Sequence, residues 1–192
     1  MVRRLSLLSM VCLLAAASVA RSTTVIPPSF DALVSGANTI FVGEVMNVRA
    51  EWEATPGGRA IITLVTFRVE DVWKGNVGAV TQLDFLGGEI GEIGMKVEGM
   101  PVFRLGQRDV LFVGSEVRSV SPLVGFMHGR MRVERDTVSG IDRVRTFDGR
   151  ALGSIAQIGP QRVVPSLASI TPMRLSDLES AVRSRAAAAR QR

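Results

Sequence analysis

Apolar and polar residues alternate along much of the chain, and a two-residue period predicts strands. Over 39–52 the chain reads TIFVGEVMNVRAEW, with Ile40, Val42, Met46, Val48 and Trp52 on one parity. Glu44 interrupts that parity beside Gly43, so the expected element is a long half-buried strand, bulged or bent at the glycine. ATPGGR over 54–59 is a turn signal. In AIITLVTFRVEDVW over 60–73, Ile61, Thr63, Val65, Phe67 and Val69 fall on one side and Ile62, Leu64, Thr66, Arg68 and Glu70 on the other. Together the two runs predict a long hairpin. Further strands are expected over 79–86, 109–113 and 123–134, and 141–147 adds one through a hairpin at Ser139 and Gly140.

Helical spacing is scarce. PPSFDALVSGA predicts one or two turns, with Ser29 as N-cap and Gly36 as stop. Near the end, Ser176 and Glu179 have capping-box spacing, and Leu178 and Val182 stack at i, i+4. Alanines continue that helix by propensity. Little apolar surface follows Arg183, so the tail is expected to fray. Residues 153–172, marked by glycine and proline, are expected to form a connector. Several strands joined mostly by short turns predict a small barrel or sandwich.

The first twenty residues, MVRRLSLLSMVCLLAAASVA, change the bookkeeping. Arg3 and Arg4, an uncharged apolar run over 5–17, and small residues at Ser18 and Ala20 predict a secretory signal peptide cleaved after Ala20. The apolar run is short for a retained anchor, so no stable membrane insertion is expected after cleavage. Val11 before Cys12 does not suit a lipoprotein site. Removing 20 of 192 residues leaves 172, enough for one domain with a sizeable core. The single cysteine, Cys12, leaves with the leader, so an exported chain without disulfides must hold together by its core.

Charge excludes one function class. Two of the 23 basic residues leave with the leader, giving 21 against 18 acidic ones. The excess lies at the C-terminus, where five arginines follow Met173 against Asp177 and Glu179. The rest is balanced, whereas a nucleic-acid reader carries a basic patch on its domain. No strand-borne aromatic platform offers itself either. No nucleic-acid partner is expected.

Three stretches share a pattern: ANTIFVGEVMNVRA, VTFRVEDVWKG and FRLGQRDVLFVG. Ala37, Ile40, Gly43 and Val45 start it, Val69, Val72, Lys74 and Gly75 continue it, and Gly106, Leu111 and Gly114 end it. The pattern resembles TIMP-like and netrin-like domains and, more closely, secreted bacterial proteins with that pattern. It covers 37–114, under half of the chain, and its residues are mostly strand and turn positions that speak to fold. The resemblance implies a mostly β chain: a five-stranded OB-like Greek-key barrel with extra C-terminal strands and a short C-terminal helix. The expected organisation is a signal peptide over 1–20, the OB-like barrel over 21–150, and a connector with a helical tail over 151–192. TIMPs inhibit metalloproteases through an amino-terminal cysteine that chelates zinc. The mature chain has none, so no inhibitory residue carries over.

The candidate site is GGEIGEIGMKVEGM, within a segment 87–107 that joins two strands. Its glycines and Pro101 argue against a long helix. Glu89, Glu92 and Glu98 are too few and too interspersed for calcium, and no P-loop spacing is present. The expectation is a glycine-hinged, mobile flap whose Glu89, Ile90, Glu92, Ile93 and Met95 face a protein partner. His128 is the only histidine, and neither a second histidine nor a cysteine accompanies it in a zinc set. It is expected as a surface or strand-face residue, and Met127 and Met131 as core fillers. Trp52 and Trp73 cap the core or mark exposed anchors, with packing preferred. Glu70 and Asp71 are expected to be solvated rather than catalytic, and the arginine tail to be solvated too.

The function expected is an exported, periplasmic or extracellular, non-enzymatic protein-binding module without metal or cofactor. An exported hydrolase using His128 or a carboxylate pair, and an envelope-associated structural protein, are the alternatives.

Overall fold

The computed structural model describes residues 26–55, 57–114, 120–160 and 170–191. The leader and its cleavage site lie outside these residues. The chain is mostly β: eight strands, two α-helices and two short 3-10 turns among the described residues. Strands β1 (Thr39–Thr55), β2 (Gly58–Lys74), β3 (Val80–Leu86), β6 (Arg108–Val113), β7 (Arg130–Arg135) and β8 (Asp142–Thr146) make one antiparallel sheet in the order β3-β2-β1-β6-β7-β8. The short strands β4 (Gly88–Ile90) and β5 (Ile93–Met95) pair only with each other.

The implied closed five-stranded barrel is not what forms. β6 continues sideways into β7 and β8 rather than returning to β3. Beyond Gly114, the described chain makes a single bridge, Leu123 to Val113, and one bond from the Leu86 N–H to the Val120 carbonyl, 3.3 Å, before β7. The strand expected over 123–134 is interrupted for a physical reason. Gly125 has φ 66°, and a Cβ on Gly129 would meet the Val124 carbonyl oxygen, so the chain turns through a 3-10 element, Phe126–Gly129, before β7 begins.

The sheet buries both faces. On one, Ile40, Val42, Val110, Phe112, Met131 and Val144 pack under α1 (Phe30–Gly36) and α2 (Leu175–Arg190). On the other, Phe41, Val45, Val65, Phe67, Phe85 and Leu111 pack with Phe103 and Leu123. Phe67 meets Phe41 and Phe103 edge-on, with ring centroids 6.1 and 5.4 Å apart. Edge-on rings add to the ~1.5–3 kcal/mol that each buried side chain of this size contributes.

The expected parity of β2 holds: Ile61, Val65 and Phe67 are buried, and Val69 packs against the aromatic core. That of β1 holds only in part. One register shift, at Val45/Asn47, inserts Met46 into β1 and re-aims the side chains beyond it, whereas those at Ile40/Phe41 and Val42/Gly43 skip Trp73 and Glu70 of β2. Ile40 and Val42 keep to the helix face, Val48 joins the aromatic core, and Met46 and Trp52 are exposed.

The patterned motif residues have structural roles. A Cβ on Gly43 would lie 3.0 Å from the Phe41 ring. Lys74 Nζ donates to the Val34 and Ala37 carbonyls at 2.7 and 2.5 Å, holding the end of α1. Gly75 has φ 73°, where a side chain would run into the Asn38 carbonyl.

Both helices form where expected. Ser29 Oγ accepts the Ala32 N–H at 3.2 Å, and α1 stops at Gly36. In α2, Leu178 and Val182 are fully buried. The cap differs: the helix starts at Leu175 with Arg174 as N-cap and no side-chain cap bond. Nor does its end lack a docking face. Ala186 is buried, and Arg185 Nε reaches Asp31 at 3.3 Å. The connector also docks, since β8 gains partners at Ala151, Leu152 and 173–174.

Candidate partner-binding face

Residues 87–107 contain a paired element in place of the expected loop. Gly88 pairs with Met95, Glu89 with Gly94 and Ile90 with Ile93. Gly91, at φ 61°, makes the turn. Gly88 and Gly91 serve positions where a side chain would clash or be strained. A Cβ on Gly88 would collide with Thr63 Oγ1 and crowd Ile61 and Ala50, so the hairpin backbone lies flat on the β1–β2 arm. The Gly87 N–H donates to the Ile61 carbonyl at 2.8 Å, and Thr63 Oγ1 donates to the Gly87 carbonyl at 2.6 Å.

On this platform the five candidate residues divide. Glu89, Glu92 and Ile93 are exposed, Ile93 to 57%, whereas Ile90 and Met95 are half-buried. Trp52, at the far end of β1, is 38% exposed, and the Arg59 guanidinium lies 4.9 Å from its ring. Glu98 pairs with Lys96 at 3.8 Å, in water. Among the described residues no three histidine, cysteine or carboxylate side chains converge as a metal site.

The return of the segment is anchored by one buried residue, Phe103, which sequence reasoning missed. Phe103 fills the space between Phe67 and Phe85. Beneath it lies a buried ion pair: Arg130 Nε donates to Asp109 Oδ1 at 2.9 Å, and its Nη1 donates to the Val102 carbonyl at 2.6 Å. The guanidinium also stacks 4.2 Å from the Phe103 ring centre. Burial pushes the Asp109 carboxyl above its ordinary value, against the opposing pull of Arg130 and the charge of Arg132. Asp109 Oδ2, Arg130 Nη2 and Arg132 Nε have no hydrogen-bond partner among the described residues. The signal was available: Phe103 is the lone aromatic of 87–107, and Asp109 adjoins the apolar run Val110–Val113.

The other candidates lie elsewhere. His128 sits in the 3-10 turn with its ring edge-on to Phe147, centroids 5.1 Å apart. It lines a small open cleft with Pro27, Pro28, Thr146 and Ile158, and no carboxylate lines it. Met131 is buried as expected, and Met127 is half-buried in the turn. Trp73 is buried and donates to Asp71 Oδ2 at 2.9 Å. The acidic pair is engaged by cations: Arg108 holds Glu70 through two nitrogens at 2.7–3.1 Å, and Arg183 lies 3.4 Å from Asp71. Among the described residues no helix is long and apolar enough to cross a membrane. Comparison with protein-family models, curated proteins and solved structures returned no match.

Proposed function

We propose that this chain is an exported, non-enzymatic protein-binding module that engages its partner through the β4–β5 hairpin. The observation that carries this is an apolar side chain, Ile93, exposed beside Glu92 on a hairpin pressed flat against the β1–β2 arm. A platform of that kind orders the contact before binding and lowers its entropic cost. Trp52 with its stacked Arg59 supplies the residue types that anchor interfaces. The leader-like N-terminus supports export. Connectivity supports kinship with the OB arrangement: β1, β2 and β3 form a meander and β6 returns beside β1, in a barrel left open.

The test is a photo-crosslinking residue at Ile93 in the native host, with Val138 in the turn between β7 and β8 as an exposed control. A discrete crosslinked species from position 93 and none from 138 is the expected result. Equal products from both, or none from either, would remove the hairpin as the binding face.

A further inference from the structure

The two ends of the six-stranded sheet are treated differently. The outer edge of β8 is closed by the chain itself. The Val144 N–H donates to the Met173 carbonyl at 3.0 Å, the Leu152 N–H donates to the Val144 carbonyl at 3.4 Å, and Arg143 and Arg145 make further bridges. β3 ends the other side of the sheet. Its outward backbone groups belong to Val80, Gln82, Asp84 and Leu86, because Leu86 directs its N–H away from β2, towards Val120. Among the described residues that bond is the only backbone pairing of this outer row. β3 reads VTQLDFL, without the lysine, proline, glycine or bulge that usually blunts an edge.

We propose that a second copy of this chain adds to β3, edge to edge and antiparallel, about a twofold axis through Leu83. The strand is self-complementary in that register. Gln82 falls opposite Asp84 of the other copy, twice by symmetry, and both residues direct their N–H and C=O outward, as a hydrogen-bonded pair requires. Their exposed side chains then meet amide to carboxylate, whereas a shift of two residues would set Asp84 against Asp84. Leu83 meets Leu83 in a non-hydrogen-bonded pair, as its inward backbone groups demand. Val80, 63% exposed, falls opposite Leu86, whose N–H stays with the Val120 carbonyl, so the backbone pairing between copies is confined to Gln82 and Asp84. The hairpin face proposed for the protein partner takes no part.

Charge at position 82 tests this without touching the core. Gln82→Glu places like charges opposite each other twice and weakens dimerisation by about fivefold, whereas Gln82→Lys strengthens it by a similar factor. Sedimentation equilibrium of the mature chain measures both, with denaturant melts showing that each variant still folds. Hydrogen exchange should slow at the Gln82 and Asp84 amides as protein concentration rises. A monomer at every concentration up to the millimolar range would overturn the proposal. So would a dimer indifferent to both charges, or protection of these amides in the monomer, which would place them against the chain itself.

Discussion

Arg130 and Asp109 form an ion pair at 2.9 Å with 1% and 0% of their side chains exposed, between strands β7 and β6. The two partners are not equivalent. The raised carboxyl pKa means that burial costs the Asp109 charge more than Arg130 and Arg132 return to it. Arg130→Met leaves that charge without its cation and should destabilise by about 3–5 kcal/mol. Asp109→Asn keeps an acceptor for the Arg130 Nε–H and should cost less. Urea melts of the two variants at neutral pH check the order, and the reverse order would mean that the pair is held by its cation.

The same shift fixes a pH dependence. A carboxyl whose folded pKa exceeds its unfolded one binds its proton more tightly in the folded state. Its contribution to stability is present below the ordinary aspartate value and lost as pH rises through the higher, folded value. Asp109→Asn should flatten that part of the stability profile. Asp136, held below its ordinary value by N–H bonds from Ser139 and Val138, works the other way, losing its contribution as pH falls. Melts of wild type and Asp109→Asn across mildly acidic pH read the difference, and parallel profiles would dismiss it.

Phe67 touches two other aromatic rings and is fully buried. Phe67→Ala should cost about 3–5 kcal/mol, as large-to-small core changes do. Glu92→Ala, in the exposed turn of the β4–β5 hairpin, should stay within about 0.5 kcal/mol of wild type. Denaturant midpoints measure both. A small effect at Phe67 would mean that the aromatic face repacks freely.

Gly75 cannot carry a side chain without strain, since its φ is 73° and Asn38 blocks the Cβ position. Gly75→Ala should therefore cost about 2 kcal/mol or more. Lys74→Met removes two charge-assisted bonds to the end of α1 and should cost about 1.5–3 kcal/mol. The double variant should cost less than the sum, because both residues secure one junction. Strict additivity, measured by melts of the three proteins, would separate their roles.

Legibility followed the regularity of the backbone. β2 pairs with β3 without a shift from Ile62 to Arg68, so its two sides can be read directly, although Ile62 and Leu64 are buried as well as Ile61, Val65 and Phe67. β1 carries an inserted residue at Met46, and no period survives an insertion, so simple alternation puts Met46 and Trp52 on a face that the bulge turns outward. The open barrel was not legible because closure depends on the path of the chain beyond Gly114, where Gly125 and Gly129 turn it away from strand geometry. Nothing in the alanine run marks Ala186 as buried, since its helix docks there through closeness rather than bulk. The hairpin at 88–95 was legible as a site and not as a structure, because glycine permits both freedom and tight approach.

The contact between Asp31 in α1 and Arg185 in α2 has a meaning for how the chain is made. Helices far apart in sequence share one core: Phe30, Leu33 and Val34 wait for Leu178, Val182 and Ala186. A ribosome delivers the two helices in order, with every strand of the sheet synthesised between them. Until α2 has left the exit tunnel, α1 alone covers the helix side of the sheet. Ile40, Val110 and Phe112 are then open to water or to whatever escorts the chain. The aromatic side needs no such delay, since Phe41, Phe67, Phe85, Phe103 and Leu123 all emerge earlier. One face of this sheet can therefore be completed before the chain ends, while the other is sealed only by the late arrival of α2.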